Sequence, residues 1–239
     1  MNAKWVQLRH RDDACYVLEY CNGAMFELFD PQQEFTVRAG KLPHWFQPGV
    51  TYFVTFRTDD SVPQSLLRSW HGRRDDWLQR HNINPREVDW KAKLRQSHEL
   101  ELEYHRQFTR RFMTYLDRGY GACELRDPLL AELVAKALGH FDGDRYQLGN
   151  FVIMPNHVHL LVCLLDDTEI ESQCRSWKTY SARRINSQLG RSGRFWQEES
   201  FDHLVRSPEQ FEYFEQYIAK NPDKARLRAG EYLHRVRPK

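Results

Sequence analysis

The run Phe151-Val152-Ile153-Met154-Pro155-Asn156-His157-Val158-His159-Leu160-Leu161-Val162 constrains this chain more than any other, because it reads as strand, turn, strand. Side chains in a strand alternate between faces, so His157 and His159 emerge on one side of a sheet while Val158, Leu160 and Val162 point to the other. Two imidazoles on one sheet face make half a metal site. A His-x-His pair also occurs by chance on surface strands, so the reading needs a second element elsewhere in the chain.

The second element is Ser207-Pro208-Glu209-Gln210-Phe211-Glu212-Tyr213-Phe214-Glu215-Gln216-Tyr217-Ile218-Ala219-Lys220-Asn221-Pro222. Ser207 suits an N-cap, Pro208 the first helical position, and Gln210 the return position of a capping box. Phe211, Phe214 and Ile218 recur at helical spacing and form the buried stripe, which leaves Tyr217 at its margin with its hydroxyl free. Asn221 lies one turn beyond Tyr217 on the same side. A boundary aromatic and a helix stop before Pro222 are the plain alternatives for these two residues.

Together the segments resemble the single-tyrosine HUH transposases, most closely the REP-associated tyrosine transposases and their insertion-sequence relatives. The matching pieces are Tyr52-Phe53-Val54-Thr55-Phe56-Arg57, Met154 to Val162, Phe195-Trp196-Gln197, Phe201-Asp202-His203-Leu204-Val205-Arg206 and Tyr217-Ile218-Ala219-Lys220-Asn221-Pro222. They stand in the family's order across roughly residues 41 to 228, which is more specific than any single piece. The resemblance implies that His157 and His159 bind a divalent cation, Mg²⁺ or Mn²⁺, with Asn221 as third protein ligand. It also implies that Tyr217 attacks single-stranded DNA at a hairpin formed by a palindromic, REP-like element, leaving a 5′-phosphotyrosine and a free 3′-hydroxyl.

The chemistry is coherent on its own terms. A phenol with an unperturbed pKa of about 10 is a poor nucleophile at neutral pH, so a strand-cleaving site must stabilise its anion and the phosphate charge, which a divalent ion can do. Two imidazoles and an amide oxygen leave coordination positions open and suit Mn²⁺ or Mg²⁺. Rival histidine chemistries lack their residues: Leu161 stands where a histidine-triad hydrolase needs a third His, Leu161-Val162 where a metallo-β-lactamase-like site needs Asp-His, and neither a zincin motif nor a Walker loop is present.

Net charge is only +2 over 239 residues, so overall charge does not argue for nucleic acid. Its distribution does. Arg175, Lys178, Arg183, Arg184, Arg191, Arg194 and Arg206 form a basic C-terminal set suited to phosphate contacts, with Arg191-Ser192-Gly193-Arg194 as a flexible loop. Phe195 and Trp196 either stack on unpaired bases or close the core. The 5 cysteines form no CxxC pair and fit reduced thiols. No apolar run is long enough to span a membrane and no secretory leader opens the chain, which points to the cytoplasm.

Alternating strands and helices predict an α+β, ferredoxin-like (RRM-like) antiparallel sheet with helices on one face. Residues 1–40 read as an N-terminal β-hairpin appendage turning at Asn22-Gly23, residues 41–228 as the catalytic domain, and residues 229–239 as a basic tail. Residues 64–117 read as an inserted helical segment with charged faces, broken at Asn82-Ile83-Asn84-Pro85; contact with DNA or a partner is one use for it, and its mixed charges favour a solvated brace. Thr51 to Arg57 is the first core strand. Asp127 caps a helix whose apolar face is Leu129, Leu130, Leu133, Val134 and Leu138, and Thr168 to Glu171 reads as a capping box opening the next helix, whose buried stripe is Ile170, Cys174, Trp177, Ser181 and Ile185, closed by Gly190.

A metal-dependent strand transferase, monomeric or homodimeric, is the reading these features favour. A catalytically silent single-strand-binding module of the same fold is the alternative, and it has no use for His157, His159 and Tyr217 together. A phosphodiesterase that activates water is a third class, which predicts turnover without a protein adduct. Tyr213 and Tyr180 stand as reserve nucleophiles should Tyr217 prove dispensable.

Overall fold

The computed structural model describes residues 4–10, 13–19, 25–33, 35–38, 44–87, 90–165 and 168–238. Its centre is the predicted pair of strands. β7 (Tyr146–Met154) and β8 (His157–Leu164) are antiparallel and joined by the two-residue turn Pro155-Asn156, and β8 pairs on its other edge with β6 (Thr51–Arg57). β9 (Phe201–Leu204) and β10 (Leu233–Arg235) complete a five-stranded antiparallel sheet of order β10-β7-β8-β6-β9. Earlier in the chain, β1 (Lys4–His10), β2 (Asp13–Glu19) and β3 (Met25–Glu27) form a separate sheet, and β4 (Thr36–Arg38) pairs with β5 (His44–Phe46).

Period-two alternation sorts β8 between two cores. Val158, Leu160, Val162 and Leu164 join Tyr52, Val54 and Phe56 beneath α5 (Pro128–Gly139) and α6 (Ile170–Gln188). On the opposite face Leu161 and Cys163 meet Phe211 and Ile218 of α7 (Pro208–Lys224), together with Phe26 and Leu28. The expected ferredoxin-like layer of helices on one face is therefore present as α5 and α6, while α7 crosses the other face, where His157 and His159 point. All five residues foreseen as the α6 stripe, Ile170, Cys174, Trp177, Ser181 and Ile185, are buried.

Some expectations fail locally. Leu129, read as apolar face, is 68% exposed, because Asp127 caps α5 through the Leu129 amide and turns that side chain outward. Helix α6 begins after Glu169 with no side-chain cap, so the capping box at Thr168 is not formed. Residues 229–239 are more than a tail, since β10 extends the main sheet and Arg235 and Arg237 pair with Glu132 and Asp142. Phe26 and Leu28 of the supposed appendage belong to the α7-side core. The Asn22-Gly23 turn lies outside the described residues.

Between β6 and α5 the inserted segment is helical as expected. α1 (Gln64–Arg80), α2 (Trp90–Arg95), α3 (His98–Tyr104) and α4 (Arg110–Leu116) are arranged with α3 running through a π turn at His105–Thr109 into α4. Trp77, Leu78, Ile83, Trp90 and Leu94 give this arm a small core of its own. A loop then returns to a 3₁₀ turn at Glu124–Arg126 and α5. Gly121, with φ +94°, lies against Asp60, whose carboxylate accepts from the Ala122 amide at 2.6 Å; a Cβ at Gly121 would come within 2.9 Å of that carboxylate.

Candidate metal and tyrosine site

His157 and His159 sit side by side on the α7 face with ring centroids 4.6 Å apart, and both are fully buried. The tautomer of His157 follows from its neighbour Asn156. The Asn156 side-chain amide donates to the Tyr120 carbonyl at 2.8 Å, which turns its Oδ1 toward His157 Nδ1 at 2.7 Å. That oxygen accepts only, so Nδ1 carries the proton and Nε2 keeps its lone pair. Cross-strand pairing sets Thr55 opposite His159, and Thr55 Oγ1 lies 2.7 Å from His159 Nδ1. Burial holds both imidazoles neutral, His157 down at about 3 with Arg57 contributing, and His159 well below its ordinary value with His157 and Lys224 contributing. Neutral rings with free Nε2 atoms are in the ligand state.

Asp117, just beyond α4, completes a triad. Its Oδ1 is 3.7 Å from His157 Nε2, and ligand atoms of Asp117, His157 and His159 all lie within 4.8 Å of one another. Burial raises the Asp117 carboxyl to about 6, against the opposing pull of Lys224 and of the Asn221 amide. Sequence reasoning missed this residue. It stands 40 positions from His157 at the end of a charge-rich helix, and only the arm's path brings it here.

Helix α7 presents Tyr217 and Asn221 to the same point. Ser207 accepts from the Gln210 amide while Gln210 Oε1 accepts from the Arg206 amide at 2.8 Å, which fixes where the helix starts. The helix runs through Pro222 to Lys224, so Asn221 is a fully buried helical residue and not a stop. Pro222 has no amide to give the Ile218 carbonyl, and the helix ends two residues later at Lys224. The Tyr217 and His159 rings are 5.2 Å apart at 75°, and Phe53 meets the Tyr217 ring edge at 5.8 Å. Lys224 Nζ lies 4.5 Å from the Tyr217 ring centroid. Burial raises the phenol well above its ordinary pKa, with the charges of Asp117 and Tyr213 adding and the Asn221 amide opposing.

The polar atoms at this point share one property. Among the described residues, Nε2 of His157 and His159, Oδ1 of Asp117, Oη of Tyr217 and both amide atoms of Asn221 are buried without a hydrogen-bond partner. Each such orphan costs about 1–3 kcal/mol unless something polar fills the space between them. Two imidazoles, a carboxylate and an amide oxygen are a donor set for a divalent cation. All of these donors come from one chain.

The basic residues foreseen for nucleic acid are placed variously. Arg175, Arg183, Arg184 and Arg194 are exposed. Lys178 instead holds the Gln197 and Glu198 carbonyls, and Arg191 forms a two-point ion pair with Glu124 at 2.7 and 2.6 Å. Arg206 is half-buried beside the Phe29 ring. Phe195 and Trp196 close the core: both are buried, Trp196 meets Phe56 edge-on at 4.9 Å, and its indole N–H donates to Ser181 at 2.9 Å.

Comparison with known proteins agrees with the motif reading. Residues 126–221 match the family model described as "Transposase IS200 like", a stretch that opens just before α5 and closes on Asn221. Over those residues, which include His157, His159 and Tyr217, the chain is similar to IS200-like transposases. Among solved structures, a REP-associated tyrosine transposase bound to a REP hairpin aligns with TM-score 0.41 at 15% identity, covering 78% of this chain and 74% of that one. No curated protein sequence matches the chain significantly. Among the described residues no helix is long and apolar enough to cross a membrane.

Proposed function

We propose that this chain is a metal-dependent, single-tyrosine DNA strand transferase of the IS200-like kind, acting on single-stranded DNA beside a REP-like hairpin. The observation that carries the reading is the convergence of orphaned Nε2, carboxylate, amide and phenol atoms from β8, the end of α4, and α7 on one buried point. A fold that only bound nucleic acid would gain nothing from burying these groups unpaired.

His157, His159 and Asp117 would hold the cation, with the Asn221 amide oxygen as a further donor. When bound, a divalent ion there supplies Lewis-acid polarisation of a phosphate oxygen and positive charge beside the phenol. The protein's own groups do the rest. Asn156 holds the His157 tautomer that leaves Nε2 free, and Thr55 anchors the His159 ring through Nδ1. Phe53 and the fixed start of α7 orient the Tyr217 ring, and Lys224 adds a positive charge over its face. Tyr217 Oη attacks the phosphorus, the bond from phosphorus to the 3′-oxygen breaks, and the strand is left as a 5′-phosphotyrosine plus a 3′-hydroxyl. The phenolic proton is lost and the leaving oxygen gains one, so the step is reversible and needs no nucleotide hydrolysis.

The donor set also admits Zn²⁺ and Fe²⁺. Mg²⁺ or Mn²⁺ is proposed as the ion, and its rank is tested by adding each in turn to metal-stripped protein with a labelled hairpin. Adduct with Mn²⁺ or Mg²⁺ supports the assignment, and adduct with Zn²⁺ or Fe²⁺ alone refutes it. Arg175, Arg183, Arg184, Arg194 and Arg206 are proposed to hold the hairpin backbone, while Lys178 and Arg191 brace the loop between α6 and β9 through the Gln197 and Glu198 carbonyls and the Glu124 carboxylate.

A further inference from the structure

The inserted arm is placed for work at this site. A cleft of about 800 Å³ opens onto Tyr217 and Asp117, walled on one side by the α3–α4 helix and on the other by α7. Arg106, Arg110 and Asp117 line it from the arm, at spacings that put them along one side of a helix; from Arg106 to Asp117 the row runs roughly 16 Å at the helical rise. Arg106 and Arg110 are exposed and form no ion pair among the described residues. Arg111, their neighbour in sequence, is also exposed but does not line the cleft. The facing wall carries Tyr213, 58% exposed, together with Phe214 and Tyr217.

We infer that the arm forms one wall of a single-strand channel, with Arg106 and Arg110 gripping backbone phosphates and Tyr213 stacking a base as the strand is led to Tyr217. Cations on one wall and aromatic faces on the other are what sequence-tolerant recognition of an unpaired strand requires. A duplex offers no free base faces to Tyr213, so the occupant is a single strand. The ion pairs that neutralise Arg191 and the carbonyl contacts that engage Lys178 have no counterpart at Arg106 and Arg110, which leaves these two cations available to a polyanion. The arm lies outside residues 126–221, so the similarity to IS200-like transposases does not supply this role. The inference rests on the strand-transferase reading for what happens at Tyr217, but not for strand binding itself.

The test uses the full chain carrying Tyr217→Phe, so that binding is reversible, and a fluorescent single-stranded DNA oligonucleotide measured by anisotropy across a salt series. Arg106→Ala with Arg110→Ala should weaken binding at least tenfold and lower the slope of log affinity against log salt by roughly 1.4, at about 0.7 per phosphate contact on single strands. Tyr213→Ala should cost about tenfold in affinity with the slope unchanged. Arg111→Ala should change neither. An unaltered slope in the double variant, a loss matched by Arg111→Ala, or preference for blunt duplex or RNA over single-stranded DNA overturns the inference. Covalent adduct formation by the unmodified chain is scored separately. Adduct with an unchanged slope refutes the arm and keeps the transferase, while a reduced slope without adduct does the reverse.

Discussion

The side-chain oxygen of Asn156 lies 2.7 Å from His157 Nδ1 while its amide nitrogen donates to the Tyr120 carbonyl at 2.8 Å, so one residue sets the histidine tautomer and ties it to the loop that follows the arm. The contact with His157 is buried and the one with Tyr120 partly so, and the tie runs from the tip of the β7–β8 turn to the segment just beyond Asp117.

Asn156→Ala should therefore weaken Mn²⁺ binding by about 10–100-fold with the fold retained, the usual range for loss of a group that orients a metal-binding histidine. Asn156→Asp keeps an acceptor for Nδ1–H and should recover much of that loss. Isothermal titration of metal-stripped protein reads both. Equal affinities for Asn156→Ala and the parent would show that the tautomer is set otherwise.

Asp117→Asn removes the carboxylate while keeping its shape. Mn²⁺ affinity should fall about tenfold or more, because a charged oxygen donor is replaced by a neutral one. Asn221→Ala should fall less, since an amide oxygen adds no charge. If Asn221→Ala proves the costlier of the two by the same titration, the arm's carboxylate is not a ligand.

Gly149 sits at the register shift in β7, where an added Cβ would come within 3.0 Å of the Leu161 Cβ and carbonyl oxygen. Gly149→Ala should destabilise the fold by about 1–3 kcal/mol, as overpacking does. Urea denaturation supplies the measurement, and an unchanged midpoint would mean that β7 and β8 separate freely here.

Trp196 is core, so Trp196→Ala should cost about 3–5 kcal/mol of stability. At temperatures where the variant remains folded, single-strand affinity should be nearly unchanged. A selective loss of DNA binding with stability intact would restore the base-stacking role.

The periodic parts of the molecule were legible in the sequence. Alternation along β8 placed His157 and His159 on one face, and the caps at Ser207 and Asp127 located α7 and α5. The stripe on α6 was read residue by residue. What could not be read was long-range: Asp117 enters the site only because the arm folds back over β6, and no local spacing records that path. Asn221 was visible as a neighbour of Tyr217, but a helix that continues through Pro222 depends on the buried setting of its last turn. Phe195 and Trp196 look alike as core or as stacking platform until the sheet beneath them is built. For Lys178 and Arg191, composition shows a cation but not the carbonyls and the Glu124 carboxylate already holding it.

The most direct test of the whole account is covalent capture. The chain is incubated with Mn²⁺ and a 5′-flanked single-stranded hairpin labelled at its 3′ end, then resolved under denaturing conditions. A labelled protein band that requires the ion, and is lost in Tyr217→Phe while metal binding persists, is the predicted result. A band of equal strength in Tyr217→Phe, or cleaved strand with no protein attached, would contradict it.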